Sequence, residues 1–429
     1  LGFEANVFHY GALAGACERE GNWSKAVTLL ELMGWAMVRN DAIACSSLVS
    51  ACGKCSEWLL ALEALGAMET GRAGVDTVLY NAAISACEKG DEWRRALELL
   101  RGASGRAVQA DTVTCSAAIS ACENLGKWES AFELLHAMWR SGLEVDAQTC
   151  NAAVSACEKG GEWAQAVHAA ATMTMRSILT TTVTYNAAIS ACEKAAQWQL
   201  ALLLLGSLPR SGLSADIVSC SAAVGACGKA AQWQPALAVF NSMPRMHVPP
   251  NSVCCSTAIA ACGTGGQWQQ ALSLFRSMPD FGLQPDRESY SAVLDATFDR
   301  QIGHDLFMEA LHGGAYSGLF CAGRFELDLH GLSAGAAVVA VQWWLPRVSQ
   351  DAEGSTQHLH IITGRGKSGR DPRPSVVRAA VDQFFKVLGI PVVEQGNEGR
   401  LVVAAQSLDV EFFLGFREAA QAVEIQSVM

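Results

Sequence analysis

A tryptophan recurs every 35 residues, at Trp23, Trp58, Trp93, Trp128, Trp163, Trp198, Trp233 and Trp268, and no insertion breaks the register. Cysteine keeps the same step at Cys17, Cys52, Cys87, Cys122, Cys157, Cys192, Cys227 and Cys262, and alanine keeps it in two more columns, from Ala16 to Ala261 and from Ala26 to Ala271. Such a period constrains the fold strongly. Each unit meets its neighbour in the same way, so the units must stack into a solenoid.

Residues 77–111, TVLYNAAISACEKGDEWRRALELLRGASGRAVQAD, show the unit. Tyr80, Ile84 and Cys87 stand at i, i+4 and i+7, an apolar stripe for one helix, which Gly90 ends; Trp93, Ala96, Leu97 and Leu100 form the stripe of a second. Neither helix buries its stripe alone. The hairpins therefore stack, with the alanine columns where backbones approach closely. Trp opens the second helix in phase with Ala and Leu, which assigns it to the core rather than to a ladder on which bases stack.

Tetratricopeptide repeats step by about 34 residues and ankyrin repeats by about 33. The step of 35 and the wording YNAAISACEKG followed by EWRRALELL closely resemble the pentatricopeptide repeat. Full repeats are expected at 7–41, 42–76, 77–111, 112–146, 147–181, 182–216, 217–251 and 252–286, with a degenerate ninth from Arg287. Their single length resembles the pure form of the family, not the mixed-length form associated with RNA editing.

With 429 residues, half of them hydrophobic, the chain can bury a large core and hold the array plus a second domain. Half of its 16 cysteines lie in the repeat column. Five more, Cys45, Cys115, Cys150, Cys220 and Cys255, fill a slot held elsewhere by Tyr10, Tyr80, Tyr185 and Tyr290. Interchange with Tyr marks small buried hydrophobes in a reducing compartment, not a disulfide framework. No run of 18 apolar residues is present to span a membrane. The chain begins at Leu1, not Met, which leaves its true start and any transit peptide open.

A formal charge of −11 opposes general nucleic-acid binding, so an RNA site must be a local basic track. One column supplies it: Arg19, Lys54, Lys89, Lys159, Lys194 and Lys229, interrupted by Asn124 and Thr264. A phosphate chain could follow these residues; equally, Lys near a helix C-terminus favours the dipole and faces water. In the pentatricopeptide family a Lys at this point meets the RNA backbone.

Two polar columns vary within a narrow set. Early in each first helix stand Gly11, Ser46, Asn81, Ser116, Asn151, Asn186, Ser221, Ser256 and Ser291; closing each repeat stand Asp41, Asp76, Asp111, Asp146, Thr181, Asp216, Asn251 and Asp286. One such pair per hairpin can read one base edge. Asp, Asn and Thr are also the preferred caps of the following helix. Asn and Ser inside a first turn are mediocre helix formers, which favours the reading role.

The resemblance implies a code in which Ser with Asp reads G, Asn with Asp reads U and Ser with Asn reads A. From the second repeat onward this gives G, U, G, pyrimidine, U, A, G. Asn151 with Thr181 is the weak pair, and Gly11 with Asp41 has no assignment. In the family, Ile43, Val78, Val113, Val183, Val218 and Val253, three positions before the first reader, sandwich the bases; Gln148 departs from that pattern.

Past Tyr290-Ser-Ala-Val-Leu294 the Trp and Ala columns fail. FELDLHG, LHIITG, IPVVEQ and RLVVAA read as strands, while SAGAAVVAVQWWLPRV and SVVRAAVDQFFKVLG read as helices. The expected fold is thus an α-solenoid of stacked helical hairpins followed by a small α/β domain of order βαβαββ. The boundaries are 1–311 for the array, 312–323 for a linker, 324–406 for the α/β domain and 407–429 for a tail.

Leu327-Asp328-Leu329-His330-Gly331-Leu332 and Thr363-Gly364-Arg365-Gly366-Lys367-Ser368 resemble the two signature motifs of the small MutS-related (Smr) domain. Pentatricopeptide arrays ending in this domain form a class of organellar RNA proteins, in which the first motif is linked to RNA endonuclease activity and the second to nucleic-acid contact. Carried over, Asp328 and His330 are the catalytic candidates, and Gly364, Arg365, Gly366 and Lys367 join the backbone contacts. Asp328 and His330 alternate on one strand and share a face, where they could move protons; a His at a strand end also commonly holds the adjacent turn. The glycine-rich loop leaves N–H groups open to phosphate, or is simply solvated.

Other motifs give way. GxGKS mimics a P-loop, but that motif needs Gly where Ile361 stands, so no nucleotide cofactor is expected. Cys52-Gly-Lys-Cys55 has redox spacing outside a βαβ setting. His358 and His360 have no third zinc ligand nearby in sequence. The expectation is a monomer that binds single-stranded RNA selectively in a plastid or mitochondrion, free of the membrane and of cofactors, a divalent metal entering if the α/β domain cleaves RNA. The alternative is a protein-interaction scaffold without RNA, which the acidic charge favours.

Overall fold

The computed structural model of the 429-residue chain describes residues 7–20, 24–25, 28, 49–54, 57–70, 77–105, 110–316, 319, 325–351, 358–364, 375–393 and 399–404. They fall into two compact units, one of residues 1–195 and 199–214, the other of 196–198 and 215–429.

In the first unit the helical hairpin of the sequence reading recurs at its expected step. First helices span Thr77–Lys89, Thr112–Asn124, Ala147–Gly160 and Thr182–Lys194, and second helices Trp58–Thr70, Trp93–Gly105, Trp128–Ser141 and Trp163–Met175. Each first helix lies along the next first helix, and each second helix wedges between its own first helix and the following one. Two columns permit this closeness. Ala86, Ala121, Ala156 and Ala191 are fully buried in one, and Cys87, Cys122, Cys157 and Cys192 in the other. Burial pushes the thiols up to about 11, and to about 12 at Cys157. They serve as small apolar spacers, each buried methylene-sized group contributing about 0.8 kcal/mol.

The turns explain why the period never slips. After each first helix one residue adopts a left-handed conformation: Asp91 (φ 57), Gly126 (φ 63), Gly161 (φ 80) and Ala196 (φ 54). The next amide then closes on the Cys carbonyl, as in Glu92 N to Cys87 O at 2.9 Å and Glu162 N to Cys157 O at 2.9 Å. Gly90, expected to end its helix, does so without taking the left-handed turn, which falls on Asp91. Its missing Cβ instead admits the preceding repeat's Trp58, whose Cδ1 would lie 2.4 Å from an added methyl. The tryptophans are accordingly half-buried at the seams between hairpins, not sealed in a core.

The second unit continues the pattern with first helices Ile217–Lys229, Ser252–Thr264 and Arg287–Thr297, and second helices Trp233–Ser242, Trp268–Ser277 and Gln301–His312. The Trp233 and Trp268 helices end in 3-10 turns that open on Met243-Pro244 and Met278-Pro279, with Pro at N1/N2. A four-stranded sheet follows: β1 Glu326–Asp328, β2 His358–Ile362, β3 Val392–Val393 and β4 Arg400–Ala404, in the order β1-β2-β4-β3. β1 and β2 are parallel, with Leu327 opposite Ile361; β4 runs antiparallel to β2 and β3. The helix Ala334–Asp351 makes the crossover between the parallel strands and packs on the ninth hairpin, with Phe307 6.1 Å from the Trp343 ring.

Candidate nucleic-acid interface

The two polar columns meet. Asn81 Nδ2 donates to both carboxylate oxygens of Asp111 at 3.3 Å, and Asn151 Nδ2 donates to Thr181 Oγ1 at 3.2 Å. In Asp111, Asp146, Thr181, Asp216, Asn251 and Asp286 the side chain caps the next helix by accepting the N–H three residues on. The cap role and the pairing coexist, because a carboxylate has lone pairs for both. Burial raises the Asp111 carboxyl, but hydrogen bonds from the Thr114 amide and hydroxyl, Asn81 and the Val113 amide outweigh it and hold the group below the usual carboxylate range.

One turn before each first reader, the valines face solvent: Val78 is 60% exposed, Val113 61% and Val183 62%, with Val218 and Val253 alike in the second unit. Apolar side chains exposed at that regularity, beside half-buried amides and hydroxyls, make a repeated surface suited to a flat aromatic base. Gln148 is also exposed in this column. Ser46, Asp76, Asp41 and Ile43 lie outside the described residues.

The basic column carries more than positive charge. Lys159 Nζ lies 3.4 Å from Glu123 Oε1, and Lys194 Nζ lies 3.2 Å from Glu158 Oε1 while donating to the Glu158 carbonyl at 3.0 Å. The interruptions make the same link: Asn124 donates to the Glu88 carbonyl at 3.0 Å, and Thr264 to the Gly228 carbonyl at 3.2 Å. Lys194, Asn124 and Thr264 thereby cap the first helix of the preceding repeat, while Lys159 reaches only its side chain. The acidic partners Glu123 and Glu158 belong to a column that sequence reasoning passed over, Glu88, Glu123, Glu158 and Glu193. Burial raises Glu88, Lys89 draws it back, and Glu123 pushes it up again. Arg19, Lys54, Lys89 and Lys229 are exposed.

At the other end of the chain, parallel pairing of β1 and β2 brings both C-terminal motifs to one end of the sheet. Leu329 N donates to Ile362 O at 2.8 Å, and Gly364 (φ 75) lies so close that a Cβ there would be 3.6 Å from His330 Cβ. His330 Nδ1 stands 2.7 Å from Asp328 Oδ1, which also accepts the His330 amide at 3.0 Å. A carboxylate only accepts, so Nδ1 carries the proton in this contact, and in the neutral ring Nε2 is the nitrogen with the lone pair. The imidazole is 72% exposed and the carboxylate 16%. Arg287, on the ninth repeat's first helix, donates to the His330 carbonyl at 3.4 Å. The turn and the Asp328–His330 contact are thus held by the same residues. Arg365, Gly366 and Lys367 lie outside the described residues, and among the described residues no three His, Cys, Asp or Glu side chains gather as a metal site. No described helix is long and apolar enough to cross a membrane.

Comparison with known proteins places the array. A PPR repeat model matches residues 8–35, 78–102, 113–143 and 183–213, a pentatricopeptide repeat domain model residues 133–195, and a PPR repeat family model residues 250–299. The helical hairpins are pentatricopeptide repeats. A pentatricopeptide repeat-containing protein of Arabidopsis thaliana is 26% identical over 143 residues, covering 29% of this chain and 16% of its own length. The Smr domain-containing protein of Schizosaccharomyces pombe is 38% identical over 82 residues, 18% of this chain and 36% of its own. The crystal structure of the maize pentatricopeptide repeat protein PPR10 superposes with a TM-score of 0.58 at 23% identity, over 81% of this chain and 49% of the maize one. That maize protein has also been solved in complex with an 18-nucleotide psaJ RNA element. The chain spans only part of each of these proteins, about half the length of the maize solenoid, with which it shares the fold.

Proposed function

We propose that this chain binds single-stranded RNA sequence-selectively, one nucleotide per repeat, and acts in RNA processing, stability or expression in a plastid or mitochondrion. The observation that carries the reading is the Asn81–Asp111 contact beside the exposed Val78: a polar pair and an apolar shelf presented together. RNA binding by the maize relative supports it. Ser46 with Asp76, Asn81 with Asp111, Ser116 with Asp146, Asn151 with Thr181, Asn186 with Asp216, Ser221 with Asn251 and Ser256 with Asp286 read G, U, G, pyrimidine, U, A and G. The protein works as a monomer without a nucleotide cofactor. The test is binding of a GUGYUAG RNA against scrambled heptamers across a salt series. Selective binding that weakens with salt upholds the reading; indifference to sequence and a flat salt response point to a protein scaffold.

The C-terminal α/β elements are read as an Smr domain, on the strength of the LDLH and TGRG motifs and the fission-yeast relative. The Asp328–His330 contact favours a further role, RNA cleavage. The exposed Nε2 lone pair takes the proton of the attacking hydroxyl as its oxygen bonds to phosphorus, and the phosphorus–oxygen bond to the leaving nucleotide breaks. Asp328 orients the ring and balances the imidazolium. Incubating labelled RNA with the protein and with Asp328→Ala/His330→Ala tests this: cleavage lost only in the variant upholds it, and equal product from both removes it.

A further inference from the structure

A third side chain joins four of the reading pairs, and it comes from the next repeat. Thr114 Oγ1 lies 2.5 Å from Asn81 Oδ1 and 2.7 Å from Asp111 Oδ1, and accepts the Asp111 amide at 3.2 Å. Thr184 Oγ1 meets Asn151 Oδ1 at 2.5 Å while Asn151 Nδ2 holds Thr181. Thr149 Oγ1 lies 2.6 Å from Ser116 Oγ and 2.6 Å from Asp146 Oδ1. In the second unit Ser289 Oγ lies 2.9 Å from Ser256 Oγ and 2.7 Å from Asp286 Oδ1. These hydroxyls are buried: Thr114 and Thr149 are 1% exposed, Thr184 and Ser289 0%.

We infer that this buried hydroxyl column, Thr114, Thr149, Thr184 and Ser289, is a third determinant of base specificity, fixing which hydrogen-bonding edge the first reader presents. The inference rests on the RNA-reading proposal above. An amide that pivots offers a donor or an acceptor at the same spot and cannot tell U from its rivals. At Asn81 the carboxylate takes one N–H, and the single proton of the Thr114 hydroxyl lies between the Asn81 amide oxygen and Asp111 Oδ1. The remaining N–H and the remaining oxygen lone pair then face outward in a fixed order. The hydroxyl is buried, so water cannot replace it and no ligand touches it. Its effect on recognition passes through the two readers it touches, Asn81 and Asp111, which makes Thr114 a positioning residue.

The column has an exception. Cys254 stands where the hydroxyl belongs, its thiol hydrogen-bonded to Ser221 and its Sγ 3.4 Å from Met243 Sδ. A thiol is a weak donor, so the seventh repeat orients Ser221 less firmly, and its A position is the looser one.

The experiment measures affinity for GUGYUAG heptamers carrying each base at the second position, read by Asn81 and Asp111, and at the fifth, read by Asn186 and Asp216. Thr114→Val keeps the volume and the bond from its own amide to Asp111 but removes the hydroxyl, and with it the bond from the Asp111 amide; Thr114→Ser restores it. Thr114→Val is expected to lose about tenfold in preference for U at the second position, with the fifth unchanged and Thr114→Ser close to the parent. Cys254→Thr should sharpen the preference for A at the sixth. Discrimination unchanged in Thr114→Val, or lost equally at both positions, overturns the inference and leaves the hydroxyl a packing group. A parent protein with no base preference at the second position overturns the RNA reading itself, and the inference with it.

Discussion

Lys194 reaches back across one repeat to Glu158, with Nζ 3.2 Å from Oε1 and 3.0 Å from the Glu158 carbonyl. Both side chains are partly solvated, so the pair stabilises by less than about 1 kcal/mol. A phosphate can therefore replace the carboxylate at little cost. Replacing Glu158 by Gln frees the lysine beforehand. RNA affinity at low salt should rise, and the slope of log K against log salt should steepen by about 0.7, the increment for one added phosphate contact on a single strand. Fluorescence anisotropy over a salt series reads both. An unchanged slope assigns Lys194 to closing the repeat alone.

The Ser116–Asp146 pair differs from Asn81–Asp111 by one side chain. Ser116→Asn should convert the third nucleotide of the bound sequence from G to U, because the amide adds a donor and an acceptor where a hydroxyl stood, next to the same capping carboxylate. The Thr149 hydroxyl, 2.6 Å from Ser116, is already in place to orient the new amide. Affinity for GUUYUAG should exceed that for GUGYUAG in the variant and fall below it in the parent.

Much of this was legible in the sequence. A unit written eight times fixes its own boundaries: the second helix opens on Trp in each described repeat, and the capping column lies where the 35-residue step puts it. The valines, expected to sandwich bases, are exposed. What escaped is pairing between columns. Thr114 looks like an ordinary opening residue of a helix until it meets Asn81, 33 residues earlier. Lys159 looks like a free cation until it meets Glu123, 36 earlier. Such contacts depend on the rotation between neighbouring hairpins, which periodicity alone leaves open. Burial of Trp was overread for a related reason: a residue conserved in phase along one chain can serve a seam as well as a core.

That seam has a measurable energy. Trp128 lies against Gly160 of the next repeat, where an added Cβ would stand 2.8 Å from the indole Cδ1. Trp128→Ala should cost about 2 kcal/mol, below the 3–5 kcal/mol of a fully buried aromatic, since the ring is only half-covered. Gly160→Val should destabilise as well, by pushing the ring out of its seat. Urea unfolding measures both. A cost for Trp128→Ala at the full core value returns the tryptophan to the interior.

The Asp295 carboxylate tests the join between the ninth hairpin and the α/β elements. It accepts the Gly335 amide at 2.7 Å, so a residue of one helix caps another that begins 39 positions later at Ala334. Burial pushes its pKa above the usual carboxylate range, even though the Ser333 hydroxyl and the Gly335 and Ala336 amides pull it down. The native state therefore holds this proton more tightly than the unfolded chain. Between the ordinary value of 3.8 and the raised native one, Asp295 removes stability as pH rises. Asp111 acts oppositely, because its pKa is lowered and its contribution is lost as pH falls. Asp295→Asn keeps an oxygen for the Gly335 amide and sheds the buried charge, so it should be neutral or stabilising near pH 7 and should cancel that descending slope. Asp295→Ala leaves the helix uncapped and should cost about 1–2 kcal/mol at every pH. Urea midpoints for the two variants and the parent, taken from about pH 4 to pH 7, separate the cap from the charge. Equal losses in Asn and Ala would mean that the ionised carboxylate itself holds the junction.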